Sequence, residues 1–103
     1  MSKTRLCSSV ISMSLFLLIS SGAYAANVDA GKTTATQCAI CHGVNGEGNG
    51  IPGSNIAGMD VGTFKKLLND FKTGARKNVM MERFVKRLSD QDIENLAAYF
   101  ATK

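Results

Sequence analysis

The chain has 103 residues, of which 12 are Lys or Arg, 8 are Asp or Glu and three are Cys, a length that bounds it to one domain. Its formal charge of +4 is not gathered into a basic run interleaved with stacking aromatics, which excludes a nucleic-acid partner. Lys3 and Arg5 lie in an N-terminal stretch expected to be removed, and without them ten basic residues face eight acidic ones, about +2.

That stretch, residues 1–25, carries Lys3 and Arg5, an apolar run from Val10 to Ile19, and the small residues Ser20, Ser21, Gly22 and Ala23-Tyr24-Ala25. A basic start, a short apolar run and an A-x-A site are the three parts of a secretory signal peptide. Cleavage is expected after Ala25, which places the product in the periplasm. The apolar run is well short of the ~20 residues that span a bilayer, so no stable membrane insertion is expected afterwards. Cys7 leaves with the leader. The domain that remains, residues 26–103, is small enough that an apolar core alone would be marginal and a further staple is needed.

The first element is expected as one helix over residues 28–41, capped by Asn27 and carrying Asp29 in its first turn. Its threonines and Gly31 weaken the propensity. Residues 43–58, "GVNGEGNGIPGSNIAG", hold six of the ten glycines and the only proline, and no period of 2 or 3.6 survives there, so they read as loop. A structureless stretch that long in so small a domain is expected to wrap around something. A second helix starts at Asp60, with Val61, Phe64, Leu67, Leu68 and Phe71 on one stripe and Gly74 as its stop. A basic linker, "KTGARKN", leads to a short helix in "VMMERFVKRL". The last helix opens on Ser89 and Asp92, a capping box with aspartate in place of glutamate. Ile93, Leu96, Ala97 and Phe100 form its buried stripe, with Tyr99 on the flank. No alternating strand is present, and the fold class is all-α.

The chemistry is concentrated in "CAICH", Cys38 to His42, which holds both remaining cysteines and the only histidine. A thioredoxin-type dithiol needs a βαβ setting, which the pattern lacks. A structural zinc site needs four ligands, and the mature chain offers no further Cys or His. A disulfide closing so short a loop stabilises little. C-x-x-C-H is the signature of covalent haem attachment, and on a helix positions i, i+3 and i+4 share a face. Cys38 and Cys41 can then form thioethers with one edge of a porphyrin while His42 reaches the iron. One covalently bound haem c would also be the missing staple. The opposite axial ligand is expected to be methionine, as in electron-transfer haems. Met59, Met80 and Met81 are candidates; Met59 is the weakest, and spacing alone does not choose between the other two.

"CAICHGVNGEG", "IAGMD", "LLNDFKTGAR" and "LSDQDIENLAAYF", in that order, resemble a class I cytochrome c across the mature chain. The similarity is to domains of diheme periplasmic cytochromes and to the cytochrome subunit of flavocytochrome c sulfide dehydrogenase. The resemblance implies a ligating methionine eight residues before the serine that opens the last helix, which is Met81. It also implies first and last helices packed together, with Gly31 beneath Leu96 and Tyr99. Relatives carry a proline whose carbonyl accepts the second N–H of the haem histidine. Ser54 stands there in this chain, and the only proline is Pro52, so which residue provides that acceptor is open. The implied function is a monohaem electron carrier rather than an enzyme, with redox donor and acceptor proteins as partners. The alternative is the haem subunit of a complex that takes electrons from a flavoprotein. A haem sensor or peroxidase would require a vacant sixth position. Lys65, Lys66, Lys72, Arg76, Lys77, Arg83, Lys86 and Arg87 cluster in the second half, either as a solvated face or as a docking surface for acidic partners.

Overall fold

The computed structural model describes residues 25–103, and the expected signal peptide, all but Ala25, lies outside them. Among the described residues every regular element is helical: α1 (Val28–Thr34), a 3₁₀ turn (Ala35–Gln37), α2 (Ala39–His42), α3 (Val61–Thr73), α4 (Val79–Val85) and α5 (Asp90–Ala101).

At α1, α3, α4 and α5 the side chain that starts the helix satisfies an orphan N–H group, as its type dictates. Asn27 Oδ1 accepts from Ala30 N–H at 3.0 Å, Asp60 Oδ2 from Thr63 N–H at 3.0 Å, and Asn78 Oδ1 from Met81 N–H at 3.0 Å. The Ser89 box is complete: Asp92 N–H donates to Ser89 Oγ at 3.0 Å and Ser89 N–H to Asp92 Oδ2 at 2.9 Å.

The expected single helix over residues 28–41 is instead three pieces. Thr33, Thr34 and Thr36 turn their hydroxyls back onto the carbonyls of Asp29, Ala30 and Thr33. Such back-bonding competes with the regular ladder and bends a helix, and here the backbone tightens into a 3₁₀ turn before α2 begins.

The core is built where α5 crosses α1 and α3. Phe100, Ile93, Leu96 and Val85 are its most completely buried large side chains. The Phe64 ring of α3 stacks on Phe100 with centroids 5.7 Å apart, and Tyr99 meets Phe100 edge-on at 5.1 Å. Tyr99 is 5% exposed, so it belongs to the core rather than to the flank.

The α1–α5 crossing depends on Gly31. A Cβ there would lie 2.1 Å from the Asn95 carbonyl oxygen and 2.9 Å from Tyr99 Cβ, so only hydrogen fits. The atoms nearest Gly31 thus belong to the Asn95 backbone and to Tyr99, the aromatic that the resemblance placed there. Asn95, buried beside it, accepts from Asn27 N–H at 2.8 Å and from Gln91 Nε2 at 2.8 Å, which ties the start of α1 to α5.

Residues 43–58 form a loop, as their composition requires. Gly43 ends α2 at φ 86°, a conformation that side chains rarely adopt. The loop is stitched to the helices by Gly48 N–H to the His42 carbonyl at 2.7 Å and Gly58 N–H to the Phe100 carbonyl at 2.8 Å, and to itself by Ile56 N–H to the Gly46 carbonyl at 2.7 Å.

Candidate functional site

Cys38 is the residue just before α2 and already has helical dihedrals, φ −80° and ψ −26°. Cys41 and His42 N–H groups both donate to its carbonyl, at 3.3 and 2.9 Å. One helical turn therefore carries the two thiols and the imidazole, and all three line a single cavity of about 540 Å³. The break in the first helix does not disturb this, because it falls before Cys38.

The rest of the cavity comes from elements far away in sequence. α3 supplies Phe64, Leu67 and Phe71, and α4 supplies Met80, Met81 and Phe84. Leu67 and Phe71 lie on the apolar stripe of α3 yet are only half-buried, and the cavity explains why: they face it. Polar groups reach the lining at a few places, among them Asn49, Asn55 and Arg76. Mostly apolar walls with few polar groups, in a volume of this size, are the ordinary make-up of a cofactor site.

The histidine is oriented. His42 Nδ1 lies 2.7 Å from the Ser54 carbonyl oxygen. A carbonyl can only accept, so Nδ1 carries the proton and donates it, and the Nε2 lone pair is left for a metal. The acceptor left open by the sequence is thus the Ser54 carbonyl itself, while Pro52 is exposed. Sequence reasoning could not fix this, because every residue but the donor's own offers the same carbonyl.

Burial pushes the Cys38 thiol up from its ordinary range, the opposite of the depressed values that mark redox dithiols. The two cysteines are not joined as a disulfide. Among the described residues no three His, Cys, Asp or Glu side chains gather as a metal-ion site, so no carboxylate completes the zinc alternative around CAICH.

The three methionines differ in setting. Met59, Met80 and Met81 all line the cavity. Met81 is half-buried and packs against the apolar core, whereas Met80 is 50% exposed. Met59, where the loop meets α3, packs on the core as well. The side chains present thus fit a large flat apolar group: two thiols and an imidazole on one wall, thioethers on others, and an apolar floor from α3. Thiol, imidazole and thioether are also the donor set of a tethered iron porphyrin.

The basic residues of the second half are mostly engaged. Lys65 pairs with Glu94, Lys66 with Asp70 at 2.6 Å, and Lys72 donates to the Leu88 carbonyl at 2.7 Å. Lys77 lies 3.9 Å from Glu82, and Arg76 sits over the Phe71 ring at 5.7 Å. Arg83, Lys86 and Arg87 on and just after α4 have no ion pair among the described residues.

No helix among the described residues is long and apolar enough to cross a membrane. Comparison with known proteins places the fold and the motif together. The family model for cytochrome c matches residues 28–102. Cytochrome c-553 of Helicobacter pylori is 44% identical over 72 residues, covering 69% of this chain and 75% of that one. The thiosulfate dehydrogenase electron acceptor of Stutzerimonas stutzeri is 40% identical over 65 residues, covering 62% of this chain and 30% of that protein. The solved structure of Acidithiobacillus ferrooxidans cytochrome c4 superposes with a TM-score of 0.71 at 30% identity, over 82% of this chain and 54% of the other. The chain thus spans about half the length of a cytochrome c4. With an all-helical fold around a C-x-x-C-H turn, and a family match running through all five α-helices, this chain belongs to the cytochrome c family, electron carriers built on covalently bound haem c.

Proposed function

We propose that the chain is a monohaem periplasmic electron carrier in which Cys38 and Cys41 tether the haem and His42 and Met81 hold its iron. The observation that carries the assignment is the convergence of Cys38, Cys41, His42 and Met81 on one apolar cavity, with His42 already turned by the Ser54 carbonyl. Met81 is preferred over Met80 because it is the more buried of the two and is packed against the core. A ligand held by packing keeps its geometry in both oxidation states. When bound, the haem supplies a one-electron ferrous/ferric couple.

The protein's own residues do the rest. His42 and Met81 would both hold the iron, which would leave no open site for bond-making chemistry and would set the chain apart from sensors and peroxidases. Phe64, Leu67, Phe71 and Leu96 line the cavity, exclude water and keep the local dielectric low, so that little solvent has to reorganise as the charge changes. The single C-x-x-C-H motif supports one haem per chain. Residues 1–25 support export and cleavage before Ala26.

A spectrum of protein matured with the haem-attachment machinery tests the ligand set. The weak far-red band of methionine bound to ferric iron is expected, and ready binding of carbon monoxide to the ferrous protein at neutral pH would overturn it. The name of the Stutzerimonas stutzeri relative, a thiosulfate dehydrogenase electron acceptor, favours one variant, in which the chain takes electrons from a dehydrogenase; a flavoprotein donor rests on the sequence resemblance alone. Co-purification with a flavin-containing chain supports that variant, and a stable monomer purified alone counts against it.

A further inference from the structure

We propose that the Ser54 side chain is a positioning residue for the haem iron: its buried hydroxyl, tied on both sides to the loop backbone, fixes the carbonyl that orients His42. This rests on His42 being an axial ligand, as proposed above.

Ser54 is 8% exposed, while Asn49, Gly50, Ile51, Pro52, Gly53 and Asn55 around it are all exposed. At Gly50 and Gly53 not even an added Cβ would meet another atom within 4 Å. Apolar packing therefore cannot fix the position of the Ser54 carbonyl; hydrogen bonds have to. The Ser54 hydroxyl donates to the Ile51 carbonyl at 2.5 Å and accepts from Asn49 N–H at 3.2 Å. Ser54 N–H also donates to the Ile51 carbonyl, at 3.0 Å. On its other side the hydroxyl is wedged against Gly48, where an added Cβ would lie 2.7 Å from Ser54 Oγ. Gly48 N–H in turn donates to the His42 carbonyl at 2.7 Å. A closed ring of bonds thus runs from His42 through Gly48 and Asn49 to Ser54, and back from the Ser54 carbonyl to His42 Nδ1 at 2.7 Å. The serine hydroxyl is the side-chain link in that ring.

The consequence is electronic as well as geometric. A carbonyl that accepts firmly from Nδ1–H makes the imidazole a stronger donor through Nε2, which favours ferric over ferrous iron. Without the hydroxyl, the exposed turn at residues 49–53 loosens, the acceptor drifts, and the ring becomes a weaker donor.

The test uses the matured holoprotein in its ferrous form. Ser54→Ala is expected to shorten the exchange lifetime of the His42 Nδ1–H proton, followed by NMR, at least tenfold and to raise the reduction potential. Ser54→Thr, which keeps the hydroxyl, is expected to hold both near the wild-type values. Unchanged lifetime and potential in Ser54→Ala overturn the proposal. Should Ser54→Ala fail to mature, the wild-type protein still decides. His42 Nδ1–H and the Asn49 amide are expected to share one opening event, with protection factors within tenfold of each other, and an imidazole proton far less protected than that amide contradicts the brace. Failure of the ligation itself is separately visible, because His42 ring protons would then lack the large upfield shift of a ring held beneath a porphyrin.

Discussion

Gly31→Ala sets two effects against each other, and the structure says which wins. Alanine is favoured over glycine in a helix by about 1 kcal/mol, so α1 alone would be stabilised. The new Cβ, however, would sit 2.1 Å from the Asn95 carbonyl oxygen, where ordinary contact begins at 3.4 Å. α1 must retreat from α5 by about 1 Å, and forcing a methyl into a packed interface costs about 1–3 kcal/mol. The retreat also stretches the 2.8 Å bond from Asn27 N–H to Asn95 Oδ1, about 1 kcal/mol more. The net expectation is a loss of about 2 kcal/mol, which in a domain of this size lowers Tm by about 8–16 °C. Thermal unfolding followed by circular dichroism on the holoprotein reads this directly. A Tm that stays level or rises would show that the α1–α5 contact is not the close backbone crossing described, and that helix propensity decides the outcome.

Met81→Ala is expected to abolish the far-red band and open the iron to carbon monoxide, while Met80→Ala retains the band; the reverse pattern would move the ligand one residue. Ser89→Ala removes one half of the box at the start of α5 and is expected to cost about 1 kcal/mol, a Tm lower by about 4–8 °C. Replacing Arg83, Lys86 and Arg87 together by Gln is expected to slow electron transfer with an acidic partner at low salt and to flatten its salt dependence. If the rate and its salt slope do not change, that surface takes no part in encounter.

Much of the fold was legible because local chemistry and tertiary packing agree. Asp60 and Ser89 are good caps followed by clear apolar stripes, and α3 and α5 start where those residues put them. The 3₁₀ turn at Ala35–Gln37 was not legible, because threonine hydroxyls choose between solvent and the carbonyls behind them only once the tertiary fold has bent the segment. The burial of Tyr99 was hidden for a related reason: its place is set by the gap that Gly31 leaves on a different helix. At the site, Cys38, Cys41 and His42 could be read from spacing alone, since one helical turn brings them together. The proposal of Met81 over Met80 rests on the family resemblance and on burial, because by sequence the two differ only in which side of α4 packs inward. Ser54 was out of reach as a participant: its carbonyl is generic, and the bonds of its hydroxyl depend on a loop whose path no periodicity encodes.

Cys38 and Cys41 are expected to be consumed in attaching one haem around which the small domain folds. Intact mass decides this, measured on protein matured in a competent periplasm after acid extraction of any loosely held pigment. The expected result is the mass of residues 26–103 plus one haem, with no thiol left to alkylate. A colourless, folded polypeptide of unmodified mass whose two thiols both react would contradict it.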